Sequence, residues 1–161
     1  MLGPFDNAAN AGFHAALPPE EKVEVGVKAE QAYSGKDGRI LRWQSYHNPN
    51  ASGYINLKEA ISAQPWIVAY DACEIYAPEE RSAWFDFGSD DGLKSWLNGE
   101  PIISKDVYRI AAPAQDLAPV RLRPGWNSIL CKISQAEGEW GFHLLVLDEF
   151  GRPWPDLQVK A

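Results

Sequence analysis

Apolar and polar residues alternate with a period of two along most of the chain, and this pattern predicts β-strands. The clearest case is the segment 84–87, where Phe85 and Phe87 face one side while Trp84 and Asp86 face the other, because side chains alternate along a strand. Further strands are predicted over 39–43, 66–76, 101–103, 107–112, 120–123, 128–134 and 142–147. The pattern therefore predicts an all-β protein.

Two dipeptides typical of hairpin turns, Asp91-Gly92 and Asn98-Gly99, lie close together after the segment 84–87. Such turns need positive φ angles, which glycine adopts without a steric penalty. The spacing predicts a three-stranded meander from Trp84 to Ile103. Within it Leu93 and Leu97 share a face, which we expect to join Phe85 and Phe87 in the core.

Helix is predicted only over 56–63, with Asn56 as the N-cap and Glu59 at the capping-box position. The first 35 residues are rich in alanine, glycine and proline and are predicted to be irregular. About eight short strands separated by turns are typical of an antiparallel β-sandwich, here expected to be a jelly roll. A chain of 161 residues fits a single domain, which we place over residues 1–161.

The charge balance excludes two classes of partner. Fifteen lysines and arginines against 22 aspartates and glutamates give a net charge of −7. Nucleic-acid binding rests on a basic surface against phosphates, and a polybasic membrane anchor needs the same sign of charge. We therefore expect neither nucleic acid nor membrane among the partners.

The two cysteines, Cys73 and Cys131, each occupy an alternating apolar run. This position is typical of small apolar residues on the inner face of a strand. A disulfide between them is the alternative if the protein is exported.

The sequence carries no local signature of catalysis, neither a zinc-binding His-Glu-x-x-His, a nucleophile elbow nor a phosphate-binding loop. We expect the chain not to be an enzyme. Asp90-Asp91 could bind calcium, which prefers hard oxygen ligands, or could simply begin a turn. Arg109 could grip a sugar hydroxyl or form a buried ion pair.

Aromatic residues make up 12% of the chain and include seven tryptophans, which is the least ordinary feature of its composition. Aromatic rings beside hydrogen-bonding groups form platforms for sugars, because apolar ring faces stack while polar neighbours bind hydroxyls. The alternative is that these rings are buried, and for Trp96 we favour burial under the N-terminal segment. The candidate sugar-binding residues are Trp43, Tyr46, Trp66, Trp84, Arg109 and Trp140.

Several motifs recur in an order that resembles a known family. They are LGPFDN (2–7), PPEE (18–21), GSDDGLKSWLNG (88–99), Arg109, LRPGWNSILCKI (122–133) and EWGFHLLVLDEFGRP (139–153). Together they resemble the galactose-binding-like β-sandwich modules found beside bacterial polysaccharide-degrading enzymes. The DDG…LNG stretch also resembles lectin domains of the protective-antigen type, in which a neighbouring aspartate pair binds calcium and sugar.

The resemblance implies a non-catalytic module that binds carbohydrate and targets a partner enzyme to polysaccharide. Its partners would be a polysaccharide or oligosaccharide and the catalytic domain of the parent enzyme. It also implies a structural calcium ion near the chain termini, at positions that match Asp6, Asn7 and Asp148, with Asp90 and Asp91 as the alternative pair. The alternative function is a structural module that packs against a parent enzyme and binds no sugar.

The same resemblance implies an extracellular or periplasmic location. Such modules begin with a tryptophan slightly before Gly-Pro-Phe, whereas here Met1 precedes Leu2-Gly3-Pro4-Phe5 and no signal peptide is present. We therefore expect this chain to be a domain excised from a larger exported protein.

Overall fold

The computed structural model describes residues 1–25, 30–50, 52–154 and 156–160, and antiparallel β-strands are the main regular structure among them. Short helices α1 (Ala11–His14) and α2 (Leu57–Ala60) and three 3₁₀ turns account for the helical part. The strands are β1 (Leu2–Asp6), β2 (Tyr33–Ser34), β3 (Ile40–Leu41), β4 (Ile55–Asn56), β5 (Ile67–Ala77), β6 (Arg81–Asp90), β7 (Leu93–Leu97), β8 (Glu100–Lys105), β9 (Asp116–Leu122), β10 (Gly125–Gln135), β11 (Gly141–Leu147) and β12 (Gln158–Lys160).

Two large sheets form a sandwich, which confirms the predicted fold class. One has the order β1-β5-β10-β7-β8, with β12 also paired to β5, and the other has the order β4-β11-β6-β9. Because β10 pairs with β5 along its whole length, β1 and β12 both lie on the opposite edge of β5. Strands β2 and β3 form a separate ribbon.

The main core lies between the two sheets and follows from the alternation in the sequence. Phe85 and Phe87 of β6 are fully buried, as is Leu93 of β7, which confirms the predicted inner face. Burial of such large apolar side chains contributes roughly 1.5–3 kcal/mol each to folding before the entropy cost is subtracted.

A second apolar cluster covers the outer face of the larger sheet. It joins Leu2, Phe5, Tyr33 and Leu41 from the N-terminal third of the chain to residues of β5 and β10. Trp96 packs partly against this cluster, as predicted. The N-terminal segment therefore covers one outer face of the sandwich.

The predicted meander is wrong at its first turn. β6 belongs to the smaller sheet and β7 to the larger, so Asp91-Gly92 carries the chain from one sheet to the other. The second turn is correct: Asn98 (φ 52°) and Gly99 (φ 87°) join β7 to β8 in a hairpin. The crossover leaves Asp90 and Asp91 at one end of the sandwich.

The predicted strand over 107–112 is a loop, which we call the 106–115 loop. It passes over β6, where a Cβ atom on Gly88 would lie only 1.8 Å from the carbonyl oxygen of Ala112. Tyr108 and Ile110 in this loop are 66% and 82% exposed.

Helix α2 confirms the predicted capping but is shorter than predicted. The side-chain oxygen of Asn56 accepts a hydrogen bond from the backbone N–H of Glu59 at 3.3 Å. No helix among the described residues combines the length and apolar character needed to cross a membrane.

Both cysteines are free thiols, which confirms their predicted inward positions. Cys131 is fully enclosed in the core, and Cys73 packs against it. Burial, together with the nearby Asp71 and Glu74 charges, raises the pKa of the Cys73 thiol to about 12. Neither thiol therefore ionises readily at neutral pH.

Candidate functional site

A cavity of about 660 Å³ opens at the end of the sandwich where β6 ends. We call it the end pocket. Two aromatic rings, two aliphatic side chains and five charged groups line it: Trp66, Tyr108, Ile110, Ala136, Asp90, Asp91, Arg109, Glu137 and Glu139. It thus combines apolar ring surface with hydrogen-bonding groups, the usual composition of a ligand site.

Backbone hydrogen bonds within the larger sheet and between the two sheets build the frame of this pocket. The N–H of Trp66, just before β5, donates to the carbonyl of Ala136, just after β10, at 2.7 Å. The N–H of Asp91 donates to the carbonyl of Ser134 at 2.9 Å. The pocket therefore rests on the start of β5 and the ends of β6 and β10.

The carboxylate of Asp91 ties the surrounding loops together. One oxygen accepts a hydrogen bond from the backbone N–H of Arg109 at 3.2 Å, and the other accepts from that of Ala136 at 2.9 Å. Charge-assisted bonds of this kind are stronger than neutral ones. Asp91 thus positions both walls of the pocket instead of bonding only its own turn.

Asp90 carries the most perturbed acid in the pocket. Asp90 is only 7% exposed. Burial raises the pKa of its carboxyl to about 6, and the Asp91 and Glu139 charges add to the effect. Burial, followed by the charges of Asp90 and Glu139, also raises the pKa of Tyr54. A concentrated negative potential therefore surrounds Asp90.

Arg109 is held in place by several contacts. Its guanidinium donates to the carbonyl of Ser89 at 3.2 Å and to the Ser89 hydroxyl at 2.9 Å, and it forms an ion pair with Asp116. Burial alone would raise the pKa of Asp116, but hydrogen bonds from Arg109 and Lys105 outweigh it and lower that pKa. These contacts fix the 106–115 loop, so Tyr108 is presented on an anchored segment.

The structure brings together only some of the residues predicted to bind sugar. Trp66 and Arg109 line the end pocket. Trp43 packs against the cluster under the N-terminal segment, and Tyr46 packs against the main core. Trp84 lies on the outer face of the smaller sheet, since its neighbours Ala83 and Phe85 point inward.

Trp140 requires a correction. Its ring has no exposed surface, and its indole N–H donates to the carbonyl of Ser62 at 2.9 Å. A ring enclosed on both faces cannot stack on a sugar, so the predicted sugar contact is wrong and Trp140 is a core residue.

The predicted calcium ligands Asp6, Asn7 and Asp148 also require a correction. Asp6 pairs with Ile67 at the end pocket's side of the sandwich, whereas Asp148 follows β11, whose last residue pairs with Trp84. The stretch of β6 from Trp84 to Asp90 separates the two places by about 20 Å at the usual rise per residue. These residues therefore cannot share one ion.

Each of the three has a structural contact instead. The amide of Asn7 donates to the carbonyl of Gln135 at 3.1 Å and accepts from the N–H of Phe13 at 2.9 Å. Asp6 lies 3.2 Å from the Lys36 ammonium. Asp148 accepts hydrogen bonds within its own turn, from the N–H groups of residues 150 and 152.

Sequence reasoning missed Tyr54, Tyr108, Glu137 and Glu139. Tyr108 lies in the segment predicted to be a strand, and Glu137 lies between the predicted strands 128–134 and 142–147. No local signal in the sequence marks these two segments, because hydrogen bonds to Asp91 bring them to the pocket only in the folded chain.

No protein-family model and no curated protein matches the sequence. Two solved structures are similar over part of the chain. The PA14 domain of the antifreeze protein MpAFP aligns with a TM-score of 0.45 and 17% identity over 52% of this chain and 44% of that one. A beta-glucosidase from Kluyveromyces marxianus aligns with a TM-score of 0.48 and 16% identity over 60% of this chain and 13% of that one.

The chain thus spans less than half the length of either similar structure. Neither is described as a galactose-binding-like module, so that resemblance stays an expectation from the sequence. What the fold itself defines is the class: an all-β sandwich with a charged, aromatic pocket at one end.

Proposed function

We propose that this chain is a non-catalytic carbohydrate-binding module that uses the end pocket to hold a polysaccharide or oligosaccharide close to a partner enzyme. The observation that carries the proposal is the meeting of Trp66 and Tyr108 with Arg109 and four carboxylates in one open cavity. Tyr108 is 66% exposed, so its ring face is available for stacking. Because polysaccharides lie outside the cytoplasm, the proposal includes an extracellular or periplasmic location.

The polar residues would provide the orientation of the sugar. Carboxylates accept hydrogen bonds from hydroxyls, and an arginine donates to ring and hydroxyl oxygens. Glu137 and Glu139 enter from the turn before β11, while Arg109 enters from the 106–115 loop. Donors and acceptors on opposite walls can therefore bind neighbouring hydroxyls of one sugar.

The proposal includes a calcium ion that bridges the protein and the sugar. Asp90 and Asp91 supply hard oxygen donors, and the Asp91 and Glu139 charges, which add to the effect of burial on the pKa of Asp90, would be neutralised by such a cation. Among the described residues, no three histidine, cysteine, aspartate or glutamate side chains are placed so that they could hold one metal ion together. The pair would thus need backbone, water or sugar oxygens to complete the coordination of calcium, which usually has about six to eight oxygen ligands.

The absence of catalysis is part of the proposal and rests on the geometry of the acids. Glycosidases place two carboxyl groups on either side of the scissile bond. Asp90 and Asp91 are consecutive, and both oxygens of Asp91 already accept backbone hydrogen bonds. We assign Asp90 and Asp91 a binding role, in which they orient the sugar together with Glu137 and Glu139. Incubation with oligosaccharides should therefore release no reducing ends, and measurable release would overturn this part.

Affinity electrophoresis against plant-wall and algal polysaccharides, with and without calcium, tests the proposal. We expect one class to retard the chain and Tyr108→Ala to remove the retardation. Phe150→Ala is the matched control, because Phe150 is 72% exposed in the turn after β11, at the other end of the sandwich. No retardation by any polysaccharide, or equal effects of the two variants, would contradict the end pocket as a sugar site.

A further inference from the structure

The outer face of the smaller sheet carries apolar residues in two rows across its strands. Asp86 of β6 pairs with Leu145 of β11 on one side and with Leu117 of β9 on the other. The next row along the same strands is formed by Leu147, Trp84 and Pro119, of which Leu147 is buried and bridged by Pro153. We call this surface, with Asp86 at its centre, the apolar face.

The apolar face departs from the usual pattern of an antiparallel sandwich, in which outward positions are polar. Leu117 is 57% exposed and Leu145 is 47% exposed, at positions that flank the same residue. Contiguous exposed apolar side chains of this kind mark surfaces that bind another molecule. The outer face of the larger sheet, by contrast, is covered by the N-terminal segment.

Asp86 gives the apolar face its chemical character. Its Oδ1 atom is buried and accepts no hydrogen bond from any residue that the structure describes. His143, which faces Gly88 on the neighbouring strand, is the nearest titratable group along β11. Burial lowers the pKa of His143, although the Asp86 charge opposes the effect. Within the part of the chain that the structure describes, no lysine or arginine forms an ion pair with Asp86.

We propose that the apolar face docks a protein segment that presents an arginine or lysine to Asp86 between two apolar side chains. Among the described residues no ion pair neutralises the Asp86 carboxylate, and its Oδ2 atom is not enclosed as Oδ1 is, so a guanidinium or ammonium that docks on this face can form a charge-assisted hydrogen bond with it. The flanking leucines would cover the aliphatic stem of that cation.

Two other occupants fit less well. In a two-fold dimer through this face the same patch meets itself, which brings two Asp86 carboxylates together. Like charges in a partly buried interface repel. A sugar would find only Trp84 as a ring and only Asp86 as a polar partner in the two rows. The acidic and branched aliphatic chemistry of the apolar face favours a basic, apolar protein segment.

The test uses a peptide probe and ¹⁵N-labelled protein. The probe is N-acetylated, C-amidated Ser-Leu-Thr-Arg-Thr-Leu-Ser, in which leucine, arginine and leucine share one side when extended. The control probe replaces arginine with citrulline, a neutral residue of the same shape. We expect chemical-shift changes confined to β6, β9 and β11, and an affinity about tenfold weaker for the citrulline peptide, the effect of losing one partly desolvated ion pair.

Variants of the protein distinguish specific binding from non-specific binding of the peptide. Asp86→Asn should abolish the difference between the two peptides, and Leu117→Ser should weaken both. Val159→Ser is the matched control, because Val159 is also 57% exposed but lies on β12. Thermal melts should show that all three variants remain folded, since each altered side chain is exposed or lacks a partner.

Four results would overturn the proposal. They are shift changes elsewhere on the surface, no shift change at millimolar peptide, equal affinity for the arginine and citrulline peptides, and shift changes on the apolar face caused by xylohexaose or cellohexaose but not by the peptide. The last result would make the apolar face a sugar platform.

Discussion

Lys132 is a fully buried lysine whose charge is neutralised by the N-terminal segment. Its ammonium donates to a carboxylate oxygen of Glu20 and to the carbonyl of Ala15, both at 2.7 Å, and the Tyr70 hydroxyl donates to the same Glu20 carboxylate. Burial lowers the pKa of Lys132, and the Glu20 carboxylate opposes that effect. This network fastens the N-terminal segment to the outer face of the larger sheet.

Removal of Glu20 should therefore be costly. Glu20→Ala leaves a buried ammonium without its counter-ion, and we expect the free energy of unfolding to fall by about 3 kcal/mol. Urea denaturation measures this change. Glu21→Ala, at the exposed neighbouring position, should change it by less than about 0.5 kcal/mol. Similar losses for both variants would show that Lys132 finds another partner.

Asp90 should make the free energy of unfolding decrease as the pH rises, which is the opposite of the usual effect of a carboxylate. Because its pKa is raised from 3.8 to about 6, the folded chain binds more protons than the unfolded chain between these values. The stabilisation from the protonated carboxyl is present below pH 4 and is lost as the pH rises through 6. We expect Asp90→Asn to flatten the melting temperature across this window, as measured by thermal melts without calcium.

The same protonation should oppose calcium. A proton and a cation compete for the Asp90 carboxylate, so calcium affinity should fall when the pH drops from 7.5 to 5. Isothermal titration calorimetry at the two pH values gives the comparison. Equal affinities would place any bound calcium away from Asp90.

Trp140 offers a direct test of burial against sugar contact. Trp140→Ala should lower the free energy of unfolding by about 3–5 kcal/mol, because it leaves a cavity in the core. Trp126→Ala is the matched control, since Trp126 is 42% exposed. If urea denaturation gave a small loss for Trp140→Ala, the ring would not be part of the core.

At the scale of elements, periodicity predicted strand faces well and connections poorly. The alternation around Phe85 and Phe87 fixes the inner face, because one buried face imposes one register. The same local pattern could not show that Asp91-Gly92 changes sheets, since that choice depends on pairing with Ser134 far along the chain. The end pocket arises from such long-range pairings, so the sequence revealed Asp90, Asp91, Trp66 and Arg109 as separate candidates only.

Gly88 is the contact through which β6 supports the pocket. The carbonyl of Ala112 occupies the space that a Cβ atom would need. Gly88→Ala should displace the 106–115 loop, lower the melting temperature and weaken polysaccharide retardation, although Gly88 does not line the cavity. Ser82→Ala, an exposed position on the same strand, is the control for both measurements. Unchanged retardation by Gly88→Ala would show that the loop position does not matter for binding.

For the whole molecule, composition and periodicity were sufficient for the fold class but not for its asymmetry. One outer face is covered by the N-terminal segment, and the other exposes Leu117 and Leu145 on either side of Asp86. The irregular first third of the chain gave no periodic signal, so its packing on β5 and β10 could not be predicted. The end pocket and the apolar face lie on different surfaces, and the 106–115 loop crosses β6 between Asp86 and Asp90.

The shared edge of β5 also determines how the chain can be rejoined. β12 ends opposite Glu74 and β1 begins opposite Tyr70, in the same direction along the same edge. The gap is about 13 Å at the usual rise per residue, which a flexible linker of about six residues spans. A circular permutant with that linker and new termini between Pro78 and Glu79 should melt within a few degrees of the original chain.

A permutant opened inside β10, between Leu130 and Cys131, is the control and should fail to fold, since it interrupts the strand shared by β5 and β7. Failure of the first permutant would contradict the alignment of β12 with β1. If it folds, the sandwich can be inserted as a domain between two neighbouring positions of a host protein.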